Sequence, residues 1–180
     1  FRVAGNPTET NEQAKSTPFG NQQLFLAHAA LTDRKDQSYL HTERVFREGW
    51  QASASRESLD FKVGGIEANM KGNREEIQLI TRYPDGGKLE LSLIPVKPLV
   101  QFGDRGLSRK GDEAASVSWY WSYTRLQAQG TLFYKGRKQE VKGIAWMDHE
   151  ISSSQWGEGL AGWDWTCMQL EDGSEVKAYR

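Results

Sequence analysis

An alternation of apolar and polar residues around a glycine-rich turn constrains this fold more than any other feature. Alternate positions 77, 79, 81 and 83 hold Ile77, Leu79, Thr81 and Tyr83, and positions 89, 91 and 93 are all leucine. The turn Pro84-Asp85-Gly86-Gly87 lies between the two runs. A period of two residues is that of a strand with one buried face, so the pattern predicts an antiparallel hairpin.

The same alternation recurs along the chain, whereas a helical period of 3.6 residues is hard to find. The predicted strands are residues 22–32, 38–48, 59–63, 65–70, 77–83, 88–94, 117–133, 139–150, 162–170 and 174–179. Residues 22–32 are nearly all apolar, which predicts burial on both faces. Residues 5–18 and 103–116 are polar and predict loops. About ten short strands between turn signals predict an all-β antiparallel barrel or sandwich.

Composition excludes several classes of function. A chain of 180 residues is long enough for one well-buried domain. Its 23 Lys and Arg and 24 Asp and Glu form no long run of one sign, which argues against a nucleic-acid partner. No apolar run reaches the length of about 18 residues that a transmembrane segment needs. Cys167 is a single cysteine, and His28, His41 and His149 form no paired motif, so we expect neither an intrachain disulfide nor a metal site.

The strongest candidates for chemistry lie near the end of the strand at residues 139–150. Strand parity places Trp146, Asp148 and Glu150 on one face, with the two carboxylates about 6.5–7 Å apart. Mutual repulsion and burial beside an indole should raise the pKa of at least one of these two carboxyl groups, and a carboxylic acid with a raised pKa is a general acid. The alternative is a strand end that emerges into solvent with both carboxylates hydrated.

Two further acid/base candidates lie close by in the sequence. His149 points away from the two carboxylates and is either an acid or base or a hydrogen-bonded structural residue. Asp164, within Gly162-Trp163-Asp164-Trp165, is either a second acid or the partner of an arginine across the sheet. Residues 152–154 are three serines without a neighbouring base, which argues against a serine nucleophile.

Large aromatic rings supply the candidate ligand-binding surface. Trp119, Trp121 and Tyr123 share one face of the strand at 117–133, and Trp163 and Trp165 share a face of a later strand. Such a stripe is either core or the lining of a cavity for an apolar ligand. Arg44 is either part of a salt-bridged strand surface or a partner for a buried carboxylate, and we include it among the candidate binding residues.

Several segments of the chain resemble the AttH-like proteins, which are grouped with hydroxyneurosporene synthase (carotenoid 1,2-hydratase). The matching segments are Phe25-Leu26-Ala27-His28-Ala29-Ala30-Leu31-Thr32-Asp33, Lys97-Pro98-Leu99-Val100, Gly103-Asp104-Arg105-Gly106-Leu107-Ser108-Arg109-Lys110-Gly111, Tyr123-Thr124-Arg125-Leu126, Ala145-Trp146-Met147-Asp148-His149-Glu150 and Gly162-Trp163-Asp164-Trp165. They run in order over nearly the whole chain. One departure is Ile151, where the family often has a second tryptophan after Asp-x-Glu.

The resemblance implies a lipocalin-like fold, with residues 1–155 as a first domain and residues 156–180 as a final hairpin, or the start of a second lipocalin-like domain absent from this chain. It implies Asp148, His149, Glu150 and Asp164 as acid/base residues, with Trp146 and Trp163 shaping the pocket. It also implies a periplasmic or secreted location.

Three functions remain open at this stage. The first is a cofactor-independent acid/base enzyme, of the hydratase or isomerase/cyclase type, acting on an apolar terpenoid- or polyketide-like substrate. The second is a non-catalytic carrier of a hydrophobic small molecule. The third is a secreted hydrolase, for which the sequence offers no recognisable nucleophile.

Overall fold

A computed structural model describes residues 2–4, 23–71, 76–112, 114–152 and 162–179 of the chain. The elements in these ranges are all β-strands: β1 (Arg2–Ala4), β2 (Gln23–Asp33), β3 (Ser38–Arg47), β4 (Ala52–Ala54), β5 (Asp60–Val63), β6 (Ile66–Lys71), β7 (Glu76–Arg82), β8 (Lys88–Pro95), β9 (Val100–Gln101), β10 (Leu107–Arg109), β11 (Val117–Tyr134), β12 (Arg137–Ser152), β13 (Trp165–Gln169) and β14 (Glu175–Tyr179). Within them, no helix has the length and apolarity that crossing a membrane requires. The polar loop predicted at residues 5–18 lies outside the described residues.

The chain divides into two compact units. Unit 1 comprises Phe1–Leu93 and Gln129–Lys142, and unit 2 comprises Ile94–Ala128 and Gly143–Arg180. The long strands β11 and β12 contribute residues to both units. The domain boundary expected at residues 155/156 lies outside the described residues and stays a prediction.

Unit 1 is built on antiparallel hairpins around an apolar core. Strand β2 pairs with β3 over ten residues, from Leu24 opposite Arg47 to Asp33 opposite Ser38. The core cluster consists of Phe25, Ala27, Ala52, Val63 and Ile66, with Ala29, Phe46, Ala54 and Phe61 packed against it. Alternate residues of β2 enter this core, while His28 and Ala30 on the other face are exposed. The expectation that residues 22–32 are buried on both faces is therefore wrong.

The largest sheet has the strand order β10-β11-β8-β7-β6-β5-β4, with β9 and β12 also paired to β11. The predicted hairpin is β7–β8, in which Leu79 lies opposite Leu91. Strands β11 and β8 approach each other closely at Gly130, where an added Cβ would overlap the carbonyl oxygen of Glu90. Any side chain at this position would push the two backbones apart.

Unit 2 contains the first part of β11, the second part of β12 and a separate two-stranded sheet. That sheet is the hairpin β13–β14, in which Cys167 lies opposite Lys177 and Gln169 opposite Glu175. The segment predicted as the loop 103–116 contains the short strand β10, which pairs with the start of β11.

The fold class predicted from the sequence is confirmed at the level of an all-β, antiparallel protein. The strand pairings of the described residues close no barrel, so barrel and sandwich are not distinguished. The short strands β4, β9 and β10 were not predicted, because two or three residues are too few to show a period.

Candidate functional site

Asp148 on β12 lies at the centre of a hydrogen-bonded cluster in unit 2. Its Oδ1 atom accepts a hydrogen bond from the Trp146 indole N–H at 2.8 Å and another from the Ser122 hydroxyl. Its Oδ2 atom accepts a hydrogen bond from the Tyr120 hydroxyl at 3.0 Å. The Lys177 ammonium donates a further hydrogen bond to Oδ1 at 3.1 Å. Four donors from three strands therefore converge on one carboxylate.

These donors determine the charge state of Asp148. Burial alone would raise the pKa of this carboxyl group, but hydrogen bonds from Ser122, Trp146 and Lys177 outweigh burial and hold the pKa below its usual value. A carboxylate that accepts several hydrogen bonds is stabilised in its ionised form. The sequence predicted a raised pKa for at least one of the two carboxyl groups of β12; Asp148 is not that group, and it is an anion at neutral pH.

Lys177 on β14 is the most deeply buried charge of the cluster, with a side chain only 4% exposed. Its ammonium donates to the Tyr120 hydroxyl as well as to Asp148. The rings of Phe102, Tyr120 and Trp165 lie 4.3, 3.5 and 5.7 Å from the ammonium nitrogen, within range of cation–π attraction. Burial lowers the pKa of Lys177, against the opposing effect of Asp148.

Tyr120 on β11 connects the two charges, because it accepts from Lys177 and donates to Asp148. Burial, followed by the negative charge of Asp148, raises the pKa of the Tyr120 hydroxyl. The phenol therefore remains protonated and works as a hydrogen-bond donor.

A second ion pair continues the cluster along the same faces of β11 and β12. The Lys110 ammonium lies 2.8 Å from Glu150, and the Ser118 hydroxyl donates to the same carboxylate oxygen at 2.5 Å. Lys110 also lies 4.6 Å from the ring centroid of Tyr120 and 4.7 Å from that of Tyr179. We call these eight residues the polar cluster: Lys110, Ser118, Tyr120, Ser122, Trp146, Asp148, Glu150 and Lys177.

Polar contacts hold the β13–β14 hairpin that carries Lys177. Glu175, with a side chain 9% exposed, accepts hydrogen bonds from Lys97 at 2.6 Å and from Arg125 at 2.5 Å. These two cations lower the pKa of Glu175 and keep it ionised. The Gln169 amide donates to the backbone carbonyls of Thr124 and Ala145 at 2.8 and 2.9 Å. The position of Lys177 is therefore fixed by its strand neighbours.

An open groove of about 610 Å³ also lies in unit 2. Its lining includes Leu107, Ser108, Arg109, Ala114, Val117 and Tyr179. The Tyr179 hydroxyl is hydrogen-bonded to Ser108 at 3.2 Å, and the ring of Tyr179 contacts Lys110. The groove therefore adjoins the Lys110 end of the polar cluster.

The sequence model described as AttH-like matches residues 1–180. The chain belongs to the AttH-like family. The crystal structure of a candidate AttH protein from Nitrosomonas europaea matches with a TM-score of 0.82 and 31% identity. The match covers 91% of this chain and 51% of that one, so the chain spans about half the length of that protein. None of the curated proteins matches the chain.

The predicted faces of β12 in this AttH-like chain agree with the structure. Trp146, Asp148 and Glu150 take part in the polar cluster, whereas the His149 ring stacks on Trp121 at 4.5 Å and an interplanar angle of 13°. Burial lowers the pKa of His149, so its imidazole is neutral at pH 7. The family resemblance groups His149 with the carboxylates as an acid/base residue. The structure instead places its ring on the opposite face of β12, as strand parity predicted.

The predicted aromatic wall lies on the face of β11 away from Asp148. The contacts to the carboxylates come from Ser118, Tyr120 and Ser122, and Trp119 is 53% exposed. Tyr123, by contrast, is buried. A role of these rings in ligand binding stays a prediction.

The remaining candidates occupy different surroundings. Asp164 and Trp163 are exposed and precede β13, and Asp164 contributes no contact to the polar cluster among the described residues. Trp165 is 45% exposed and reaches Lys177. Arg44 belongs to unit 1, where its guanidinium donates to the Glu43 carbonyl at 3.1 Å.

Ser152 donates to the Val117 carbonyl, and the next two serines lie outside the described residues. In the part of the chain that the structure describes, no three His, Cys, Asp or Glu side chains gather to hold a metal ion.

Sequence reasoning missed both lysines, both serines and Tyr120 of the polar cluster. The signal for the serines is the set of even positions of β11, where small polar residues alternate with a tyrosine: Ser118, Tyr120, Ser122 and Thr124. These four side chains are all buried. Four polar residues on one buried face predict acceptors opposite them, and the carboxylates of β12 are those acceptors.

Proposed function

We propose that this AttH-like chain provides the polar centre of an acid/base enzyme, of the hydratase or isomerase/cyclase type, that acts on an apolar terpenoid- or polyketide-like substrate. The observation that carries the proposal is the buried Lys177 ammonium, paired with an ionised Asp148 and bridged to it by Tyr120.

The energetics of this arrangement support a functional role. Removing two charges from water costs several kcal/mol for each ion, and an apolar pair of the same volume is often equally stable or more stable. Perturbed pKa values also cluster at functional sites. Here three neighbouring groups, Asp148, Lys177 and Tyr120, all have shifted pKa values.

The charge states favour the isomerase/cyclase branch over alkene hydration. Protonating an alkene requires an acid far stronger than an ammonium or a phenol, and Asp148 is already ionised. An ammonium with an unused N–H can instead donate a hydrogen bond to a substrate carbonyl as negative charge develops on its oxygen. Asp148 then acts by holding Tyr120 and Lys177 in position, so the substrate class that fits best contains a carbonyl group.

A carrier function is the second candidate, because the groove in unit 2 has apolar side chains in its lining. Leu107, Ala114 and Val117 lie there beside Tyr179. A carrier would use the groove without turnover.

The test is a turnover assay on apolar polyenes with and without a conjugated carbonyl, with products followed by mass spectrometry. We expect conversion of a carbonyl-containing substrate, and a loss of about 100-fold or more in kcat for Asp148→Asn. The Kd for the same substrate should change only a few-fold. Glu140→Gln, an exposed change in unit 1, is the control and should retain full turnover.

Two results would contradict the proposal. Binding without conversion of any substrate by the unmodified chain would favour the carrier. Full turnover by Asp148→Asn would remove the polar cluster from the mechanism.

A further inference from the structure

The polar cluster contains the same arrangement twice. In each copy a lysine pairs with a carboxylate of β12, which also accepts a hydrogen bond from a serine of β11. One copy is Lys177, Asp148 and Ser122, and the other is Lys110, Glu150 and Ser118. Both ammonium groups also lie against the ring of Tyr120, at 3.5 and 4.6 Å from its centroid.

The two copies differ in access to solvent. The side chain of Lys177 is 4% exposed, and two of its N–H groups are used by Asp148 and Tyr120. The side chain of Lys110 is 15% exposed, and its partner Glu150 is 27% exposed. An ammonium has three donors. Glu150 takes one donor of Lys110, so this lysine is better placed than Lys177 to meet a ligand.

The groove in unit 2 lies beside the more accessible lysine. Tyr179 belongs to the groove lining, and its ring is 4.7 Å from the Lys110 ammonium. Leu107, Ala114 and Val117 provide apolar surface in the same groove. Lys110 is not itself part of the groove lining, but a molecule that contacts the Tyr179 ring from the groove would lie one ring away from the Lys110 ammonium.

The charges around the groove indicate which polar end such a ligand carries. Glu150 already neutralises Lys110, and the groove lining also includes Asp104 and Asp112 together with Arg109. An anionic ligand would compete with Glu150 and be repelled by the two aspartates. A neutral acceptor oxygen, by contrast, can take a free N–H of Lys110 without disturbing the ion pair.

We infer that the groove holds the apolar body of the substrate and that Lys110 donates a hydrogen bond to its carbonyl oxygen. The Lys177–Asp148 pair then acts as the positioning half of the cluster, since it holds Tyr120 between the two lysines. This inference rests on the proposed function, because it names the residue that contacts the substrate of that same site.

The experiment compares two terpenoid probes of one skeleton, the ketone β-ionone and the hydrocarbon in which a methylene group replaces its carbonyl oxygen, by isothermal titration calorimetry. Because the hydrocarbon has no acceptor oxygen, the unmodified chain should bind the ketone more tightly, and Lys110→Met should weaken ketone binding about tenfold while hydrocarbon binding changes less than about threefold. The infrared band of the ¹³C-labelled ketone carbonyl should shift to lower frequency on binding, and this shift should disappear in Lys110→Met.

Two variants complete the design. Lys135→Met removes a lysine from the exposed ion pair with Asp36 in unit 1 and should leave both affinities unchanged. Ala114→Trp fills the groove, keeps Lys110 and should abolish binding of both probes, which tests the groove even where Lys110→Met fails to fold.

The outcomes separate this inference from the proposed function. Unchanged ketone affinity and an unchanged carbonyl band in folded Lys110→Met would overturn the inference, as would failure of the unmodified chain to bind either probe. Turnover that depends on Asp148 but not on Lys110 would overturn the inference alone. Ketone binding through Lys110 without turnover of any substrate would leave the inference standing and contradict the proposed function.

Discussion

The buried side chains of unit 1 in this AttH-like chain are mostly apolar, whereas those of unit 2 include a run of polar residues. The core cluster of unit 1 is made of Phe25 and four smaller apolar residues: Ala27, Ala52, Val63 and Ile66. Unit 2 buries Ser116, Ser118, Ser122 and Thr124, together with the charged side chain of Lys177.

Strand β11 shows the change within a single element. Its buried even positions are Ser118, Tyr120, Ser122 and Thr124, followed by Leu126 and Ala128. Apolar burial stabilises a fold without specifying chemistry, whereas buried polar groups need defined partners. The comparison therefore assigns the candidate chemistry to unit 2.

The largest expected effect on stability comes from the apolar core of unit 1. Phe25 is 2% exposed, and Phe25→Ala should reduce the free energy of unfolding by about 3–5 kcal/mol, because it removes a buried ring and leaves a cavity. Urea unfolding followed by far-UV circular dichroism measures this loss. Val45→Ala, at an exposed position of the paired strand β3, is the matched control. A loss in Phe25→Ala no larger than that of the control would show that the core cluster does not stabilise unit 1.

The sequence predicted the strands of unit 1 better than the interior of unit 2. Strands such as β7 and β8 are defined by a local period and a turn between them, both of which are visible in the sequence. Alternation alone does not reveal which face of a strand is buried. The large rings at Trp119 and Trp121 suggested one face of β11, and the structure places the carboxylate contacts on the other.

The partners of Asp148 could be predicted only in part. Trp146 is two residues away on the same strand, so parity alone brings it to the same face. Lys177 is 29 residues away on a different sheet, and its contact depends on how the β13–β14 hairpin packs. The lowered pKa of Asp148 could not be predicted, because three of its four donors lie on other strands.

The second prediction concerns the buried ion pair of unit 2. Asp148→Asn leaves the Lys177 ammonium buried without its counter-ion, and it should reduce the free energy of unfolding by about 3 kcal/mol at pH 7. Urea unfolding measures this loss. Asp36→Asn removes the carboxylate of the exposed pair with Lys135 in unit 1 and should give no measurable change.

The pH dependence of stability tests whether Asp148 is the ionised partner of Lys177. The pKa of Asp148 is lower in the folded chain than in the unfolded chain. Its contribution to the free energy of unfolding is therefore fully present above the unfolded pKa of about 3.9 and is lost as the pH falls through the folded pKa. The difference in stability between the unmodified chain and Asp148→Asn should therefore shrink below about pH 4. A difference that stays constant down to pH 2 would contradict the assignment of Asp148 as an ionised partner of Lys177.

The smallest effect concerns the other face of β12, where His149 stacks on Trp121. Burial lowers the pKa of His149, so the imidazole should titrate below its ordinary value of about 6.5 in an NMR titration. In the interval between the folded and unfolded pKa values the unfolded chain binds the proton more readily, so stability should rise slightly with pH there. Trp121→Leu exposes the imidazole and should move its pKa back toward 6.5. Titration of His149 at or above that value in the unmodified chain would show that the ring is solvated, and it would remove the difference between the two faces of β12.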